Sequence, residues 1–261
     1  MNQHSARAIQ SPLNPRHYKY YDLVMAGVVT VRLCAKLIGP GESCLIDTGV
    51  SAIPDWNKEQ GFFLTTLLIF GAGNIFFPIS YIFGDVLTEV YGYARTRRVI
   101  WVGFAAMIFA TLMSQVVLRL PTNDAEPFNK LIVPALQIVF GGTWRIVLAS
   151  ILAFWAGDFV NSYVLAKMKV GTKGRFLWMR TIASTIVGQG VDSLLFYPIA
   201  FYGKWDTNTL IKVSIFNWFF KVGVEVVFTP LTYLIVNSLK RAEGEDYYDT
   251  KTNFTPFSLQ D

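Results

Sequence analysis

The sequence predicts an all-α integral membrane protein with six transmembrane helices and both termini in the cytoplasm. Composition and patterning carry the class. Hydrophobic residues make up 52 % of the 261 and charged residues only 16 %, where soluble domains carry about 25 % charged residues. The apolar residues also fall in blocks: 99–118 and 146–166 are almost free of charge over the roughly 20 residues a helix needs to cross a hydrocarbon core. A third observation, the uneven spread of Lys and Arg between alternate connections, sets the orientation.

Residues 1–19 read as a polar cytoplasmic tail. No small-residue cleavage site follows the first apolar block, so that block is expected to be kept as a span rather than removed as a signal peptide. Apolar runs place spans near 20–38, 62–90, 98–118, 144–167, 178–202 and 210–237, making a membrane domain of 20–238. Residues 239–261 form a polar tail, expected to be cytoplasmic and disordered. One set of connections holds Arg7, Arg16 and Lys19, then Arg95, Arg97 and Arg98, then Lys167, Lys169, Lys173 and Arg175, then Lys240, Arg241 and Lys251. The opposite set is poorer, with Lys58 among four acids, then Arg119, Lys130 and Arg145, then Lys204 and Lys212. The richer set belongs inside, which fits an even number of spans. On the outer side, 128–140 reads either as a short helix lying in the interface or as an ordinary surface loop.

The net charge of +5 thereby reports orientation and not a nucleic-acid partner, which would need its basic residues clustered on one face. Cys34 and Cys44 lack C-x-x-C spacing and read as two unpaired thiols. A weak internal echo links Gly84 and Asp85 with Gly157 and Asp158, each followed by a tyrosine and a basic run, of the kind transporter halves carry.

Charges inside apolar spans cost several kcal/mol unless they meet a partner or water, so they mark the candidate site. On the second span Asp85 and Glu89 share a face, below an interruption at Gly71, Gly73, Asn74 and Pro78 that suits a helix broken beside a cavity. On the fourth, Asp158, Asn161 and Ser162 form one stripe. The fifth repeats it with Arg180, Ser184, Gly188 and Asp192, Gln189 lying beside Asp192. Asn217, Lys221, Glu225 and Thr229 follow the same step on the sixth. Four stripes facing one interior would line a wet, carboxylate-rich cavity. The plainer alternatives are that Lys221 pairs with Glu225, that Arg180 pairs with one of the acids, and that Asp85 and Glu89 meet Arg95 to Arg98 at the interface. Asp22, Arg32 and Lys36 lie near the ends of the first span, where long side chains snorkel; they are left out of the site, and Arg32 and Lys36 have no assigned partner. Trp101, Trp155, Trp178 and Trp218 read as interfacial anchors or packing.

Several chemistries lack their residues. His4 and His17 both precede the first span, which disfavours histidine-ligated haem or zinc in the membrane, and no cofactor or metal is expected. The H-E-x-x-H and Walker patterns are absent, and Ile82 and Trp155 stand where an intramembrane aspartyl protease has the first Gly of Gly-x-Gly-Asp. An enzyme is disfavoured, though a membrane-embedded enzyme using these carboxylates, or a non-transporting scaffold, stays as the alternative.

Residues 77–101 (FPISYIFGDVLTEVYGYARTRRVIW) resemble the signature of the queuosine precursor transporter family, formerly described as vitamin uptake transporters. Further matches are RIVLAS at 145–150, GDFVNSYVLAK at 157–167, GQGVDSLLF within 176–196 and KVGVEVVFTPLTY at 221–233. The resemblance implies a multi-pass protein of the bacterial inner membrane that imports 7-cyano- or 7-aminomethyl-7-deazaguanine for tRNA modification. A guanine-like edge offers two parallel N–H donors that a carboxylate accepts in bidentate fashion, a role for Asp158 with Asn161 or Asp192 with Gln189. The cationic aminomethyl form would favour a further acid, Glu225 or Glu89. Another vitamin-like substrate is the near alternative. Facilitated diffusion, proton coupling through a carboxylate and an accessory energising module all stay open, as does homo-oligomerisation.

Overall fold

The computed structural model describes residues 18–38, 43–45, 69–71, 76–123, 125–141 and 144–258. The basic residues Arg7 and Arg16, most of the connection 39–61, and Gly73 and Asn74 lie outside them. Among the described residues there are seven α-helices: α1 (Tyr21–Ile38), α2 (Phe77–Val86), α3 (Tyr93–Leu118), α4 (Asn129–Phe140), α5 (Trp144–Gly171), α6 (Leu177–Phe201) and α7 (Thr207–Glu243). A π-helical turn, Leu87–Tyr91, joins α2 to α3. Three helices, α3, α5 and α7, are long and apolar enough to cross a membrane by length and composition. Exposed Leu, Phe, Val and Trp side chains, among them Phe109, Leu131, Trp144, Leu194 and Val227, are spread over the outer faces of the helices, as lipid contact requires.

Two boundaries differ from the sequence reading. Residues 62–90 do not form one helix in the described part: Ile69–Gly71 pairs antiparallel with Ser43–Leu45, in the register Ser43↔Gly71. Ile69 and Phe70 favour strand, and Gly71 and Gly73 offer no helical preference. Pro78 does not interrupt a helix; it sits in the first turn of α2, where its missing N–H costs nothing. Downstream, Arg95, Arg97 and Arg98 belong to the first turns of α3 and not to a loop. Within 128–140, Asn129–Phe140 is helical, as α4, with none of its residues buried.

The short α2 and its π turn occupy the centre of the fold, touched by α1, α3, α5 and α7. Residues 85–94 are buried almost without exception. Val24, Val28, Ile82, Val86, Leu87, Val90 and Val99 make the main apolar core. The tightest packing joins α5 to α6, where Gly157 faces Gly188. A Cβ on Gly188 would stand 2.8 Å from the Asn161 Cβ and 3.0 Å from the Gly157 carbonyl oxygen. Small residues that let backbones approach are how membrane helices gain contact. Gly188→Val is therefore expected to cost about 1–3 kcal/mol by overpacking, whereas Gly223→Ala, with nothing within 4 Å, leaves the melting temperature in detergent unchanged or slightly raised.

The C-terminal stretch corrects the expectation of a disordered tail. Gly244, in the left-handed region at φ 67°, ends α7 and turns the chain back along the helix ends. Two acids then cap helices far away in sequence. Glu243 accepts from the Lys19 and Tyr20 amides at 2.8 Å each, before the first turn of α1, and from the Tyr91 hydroxyl. Asp249 accepts from the Tyr93 amide at 3.1 Å through both oxygens, at the start of α3. Helix N-termini leave N–H groups without partners and favour negative charge, so a polar segment that looks unstructured by composition has fixed work here. Further along, Arg97 donates to the carbonyls of Asn253 and Thr255, and Trp101 donates to that of Pro256 at 2.8 Å. Tyr247 lies over Gly92 (φ 84°) and Tyr248 over Gly174 (φ 76°), close enough that a side chain at either glycine would collide.

Asp249→Ala is expected to cost about 1 kcal/mol, as other N-cap losses do, and to speed amide exchange at Tyr93. Burial pushes the Asp246 carboxyl up, but hydrogen bonds from Lys169 and Lys240 outweigh it and hold the group below the ordinary aspartate range. A depressed carboxylate contributes stability above its unfolded value of about 4 and loses it as pH falls through the lower folded value. Protease accessibility of the tail in detergent should therefore rise only below about pH 4.

Candidate functional site

A cavity of about 200 Å3 opens between α1, α2, α3, α5, α6 and α7. It is smaller than the roughly 300–1,000 Å3 of drug-sized sites and suits a small molecule. Phe76, Tyr81 and Phe154 supply aromatic wall, Met107 and Ala35 aliphatic wall, and Ser80 and Ser150 hydroxyls. Four of the eight residues picked out by sequence line it: Asp158, Gln189, Asp192 and Lys221. Helical spacing explains their convergence, since Asp158 on α5, Gln189 and Asp192 on α6, and Lys221 on α7 each lie on the stripe that faces the neighbouring helix.

Both carboxylates in the cavity are matched by a cation. Lys221 donates to Asp192 at 2.6 Å, not to Glu225 on its own helix. Arg32 donates through Nη2 to Asp158, its guanidinium lying 4.6 Å from the Phe154 ring centroid. Two acids and two bases leave the cavity with no net charge. The sequence reading set Arg32 aside as a snorkelling residue, and the structure places it at 6 % exposure on the cavity wall. Gly103 and Gly84 border it, and a Cβ at either would lie at ordinary van der Waals distance, 3.4 Å from its Nη1 and 4.0 Å from its Nη2. Nothing local in α1 announces this, since its partner Asp158 lies on α5. The side chain of Lys36 lies outside those described.

Asp85, Glu89, Asn161 and Glu225 lie off the cavity. Asp85 and Asn161 meet each other, the Asn161 amide donating at 3.0 Å to Asp85 Oδ1. Glu89, on the π turn, binds neither Arg95 nor its neighbours. Its Oε1 is 2.8 Å from Arg180, 2.8 Å from Lys240 and 3.6 Å from Lys169. Lys169, expected in a loop, is fully buried in the extension of α5, donating also to the Glu89 carbonyl at 2.5 Å, Asp246 at 2.6 Å and the Tyr247 carbonyl at 2.7 Å. Glu89 is thus the anion of a cationic cluster that ties α5, α6, α7 and the tail together. Trp155, one turn from Asp158, packs against Trp101 and Phe159. Cys34 is a free thiol, and no group of His, Cys, Asp and Glu suited to a metal occurs among the described residues.

Residues 71–235 match the family described as putative vitamin uptake transporter. The chain belongs to that family. Among relatives of this vitamin uptake transporter family, a probable queuosine precursor transporter of Bacillus subtilis is 29 % identical over 162 residues, covering 62 % of this chain and 69 % of its own length. The queuosine precursor transporter of Escherichia coli is 28 % identical over 172 residues, 64 % of this chain and 73 % of its own. A probable queuosine precursor transporter of Haemophilus influenzae is 22 % identical over 174 residues. No solved structure matches the chain. These names agree with the resemblance read from residues 77–101. The family match takes in Asp158, Gln189, Asp192 and Lys221 but neither Arg32 nor the tail beyond Gly244.

Proposed function

We propose that the protein imports queuosine precursor bases, 7-cyano- or 7-aminomethyl-7-deazaguanine, across the bacterial inner membrane for tRNA modification. The observation that carries the reading is the cavity in which Asp158 and Asp192 face a common space beside Gln189 and aromatic wall. One carboxylate accepts the paired N–H donors of the guanine-like edge, the Gln189 amide meets the carbonyl side, and Phe154 or Tyr81 covers a ring face. Relatives named as queuosine precursor transporters support the substrate class.

In this reading α1, α2 with its π turn, α3, α5, α6 and α7 are the six spans, and α4 lies in the interface. The contact of Glu243 with the Lys19 and Tyr20 amides supports placing both termini on one side, and the basic residues around Arg95 to Arg98 and Lys167 to Arg175 support making that side cytoplasmic. The acids proposed for a cationic substrate are not on the cavity, and those that are have cations of their own, which favours the neutral 7-cyano base. The test is queuosine formation in the tRNA of a strain unable to make the precursor, carrying this chain and supplied with each base in turn at low concentration. Queuosine should form at lower concentrations of the cyano than of the aminomethyl base; no queuosine from either would refute the reading.

A further inference from the structure

The acids inside the helix bundle fall into two groups. Asp158, Asp192 and Glu89 each hold a cation within ion-pair distance. Asp85 and Glu225, 0 % and 1 % exposed, hold none among the described residues. α2 and α7 pack against each other, and each acid lies one helical turn from a cavity-lining residue of its own helix, Tyr81 for Asp85 and Lys221 for Glu225. Unpartnered acceptors are buried on the same packed helices. Asp85 Oδ2, Glu225 Oε1, Asn161 Oδ1 and Gln189 Oε1 are all buried without a hydrogen-bond partner. An ionised carboxylate only accepts, whereas a protonated one also donates. A proton placed on this pair therefore removes a buried charge and adds a donor among these acceptors.

We infer that Asp85 and Glu225 form a shared proton site that couples movement of the base to the transmembrane proton gradient, an inference resting on the transport reading above. The pair sits one helical turn below the cavity on three helices at once. Asp85 follows Tyr81 on α2, Glu225 follows Lys221 on α7, and Asn161, hydrogen-bonded to Asp85, follows Asp158 on α5. Around the pair stand Arg32 from α1, engaged with Asp158; Glu89 from the π turn, engaged with Arg180 and Lys240; Gln189 and Asp192 from α6; and Lys221 from α7, engaged with Asp192. The pair holds one proton between its two carboxyl groups at rest, since two bare carboxylates in one dry interior, neither with a cation, are costly. A second proton from the outer side converts the remaining carboxylate to the acid, and its release on the inner side restores the resting charge.

The full chain in lipid nanodiscs should show a protonated-carboxyl C=O band in the infrared at neutral pH that disappears in Asp85→Asn or in Glu225→Gln. In proteoliposomes given labelled 7-cyano-7-deazaguanine, an acidic outside should raise accumulation several-fold over symmetric pH. Both variants should keep downhill exchange of the base and lose that stimulation; Glu225→Gln serves if Asp85→Asn does not fold. A band untouched by either variant, or stimulation that survives in both, would overturn the inference. Downhill exchange without any response to pH in the unaltered protein rejects the coupling and leaves the transport reading standing. No exchange at all, with the band present and variant-sensitive, rejects transport and coupling together and leaves only the proton site.

Discussion

Glu89→Ala is expected to destabilise the protein by about 3–5 kcal/mol, the cost of breaking a buried ion pair by removing one partner. Three cations converge on a single Oε1, and two of them, Lys169 and Arg180, are themselves 1 % exposed at the side chain. Removing the anion leaves Arg180 with only the Thr172 hydroxyl and the Arg175 carbonyl, and leaves positive charges repelling in a dry site. Lys169 suffers less, because the Glu89 carbonyl, Asp246 and Tyr247 continue to accept from it. The graded prediction is that Glu89→Ala is worst, Arg180→Ala follows and Lys240→Ala, whose side chain is 19 % exposed, is mildest. The double change Glu89→Leu with Arg180→Leu should recover part of the loss, since apolar groups remove both desolvation costs at once. Melting temperature and monodispersity of the detergent-solubilised protein measure all four. Equal stability for the Glu89 and Lys240 variants would refute the central place given to Glu89.

Why that cluster escaped a reading of the sequence, while the cavity walls did not, follows from what periodicity can report. The stripes on α5, α6 and α7 were legible because i, i+3 and i+4 positions share a face whatever the rest of the chain does. α6 and the start of α5 fell within a residue of their expected bounds for the same reason. Partner choice is a property of the packed bundle. Lys221 and Glu225 are ideally spaced to pair on one helix, yet Lys221 reaches Asp192 across the interface and Glu225 holds no cation among the described residues. Arg32 was hidden because its partner, Asp158, and the Phe154 ring it lies over are on another helix. The tail was hidden because its polar residues act as caps and backbone acceptors, and composition registers only that they are polar.

Asp192→Asn should lower uptake of the base by about ten- to a hundredfold at low concentration, with the protein still folded. The magnitude follows from hydrogen bonds to a charged group, worth about 1.5–3 kcal/mol, at roughly 1.4 kcal/mol per decade. The asparagine keeps the shape but replaces one acceptor by a donor, which meets the N–H edge of the base donor to donor. Its effect on stability should be small. Asp192 and Lys221 are 18 % and 19 % exposed at the side chain, so the ion pair is partly solvated and worth little by itself. Asp158→Asn should weaken uptake to a similar degree but also loosen the fold, because it strands Arg32 in a buried position with its Nη1 already unpartnered. The pair of variants therefore separates two roles that a loss of uptake alone would blur. Uptake is measured with labelled base in cells and normalised to protein in the membrane, and melting temperature is measured on the purified variants. Full uptake by Asp192→Asn would remove this carboxylate from the binding site and shift recognition of the base to Asp158 and Gln189.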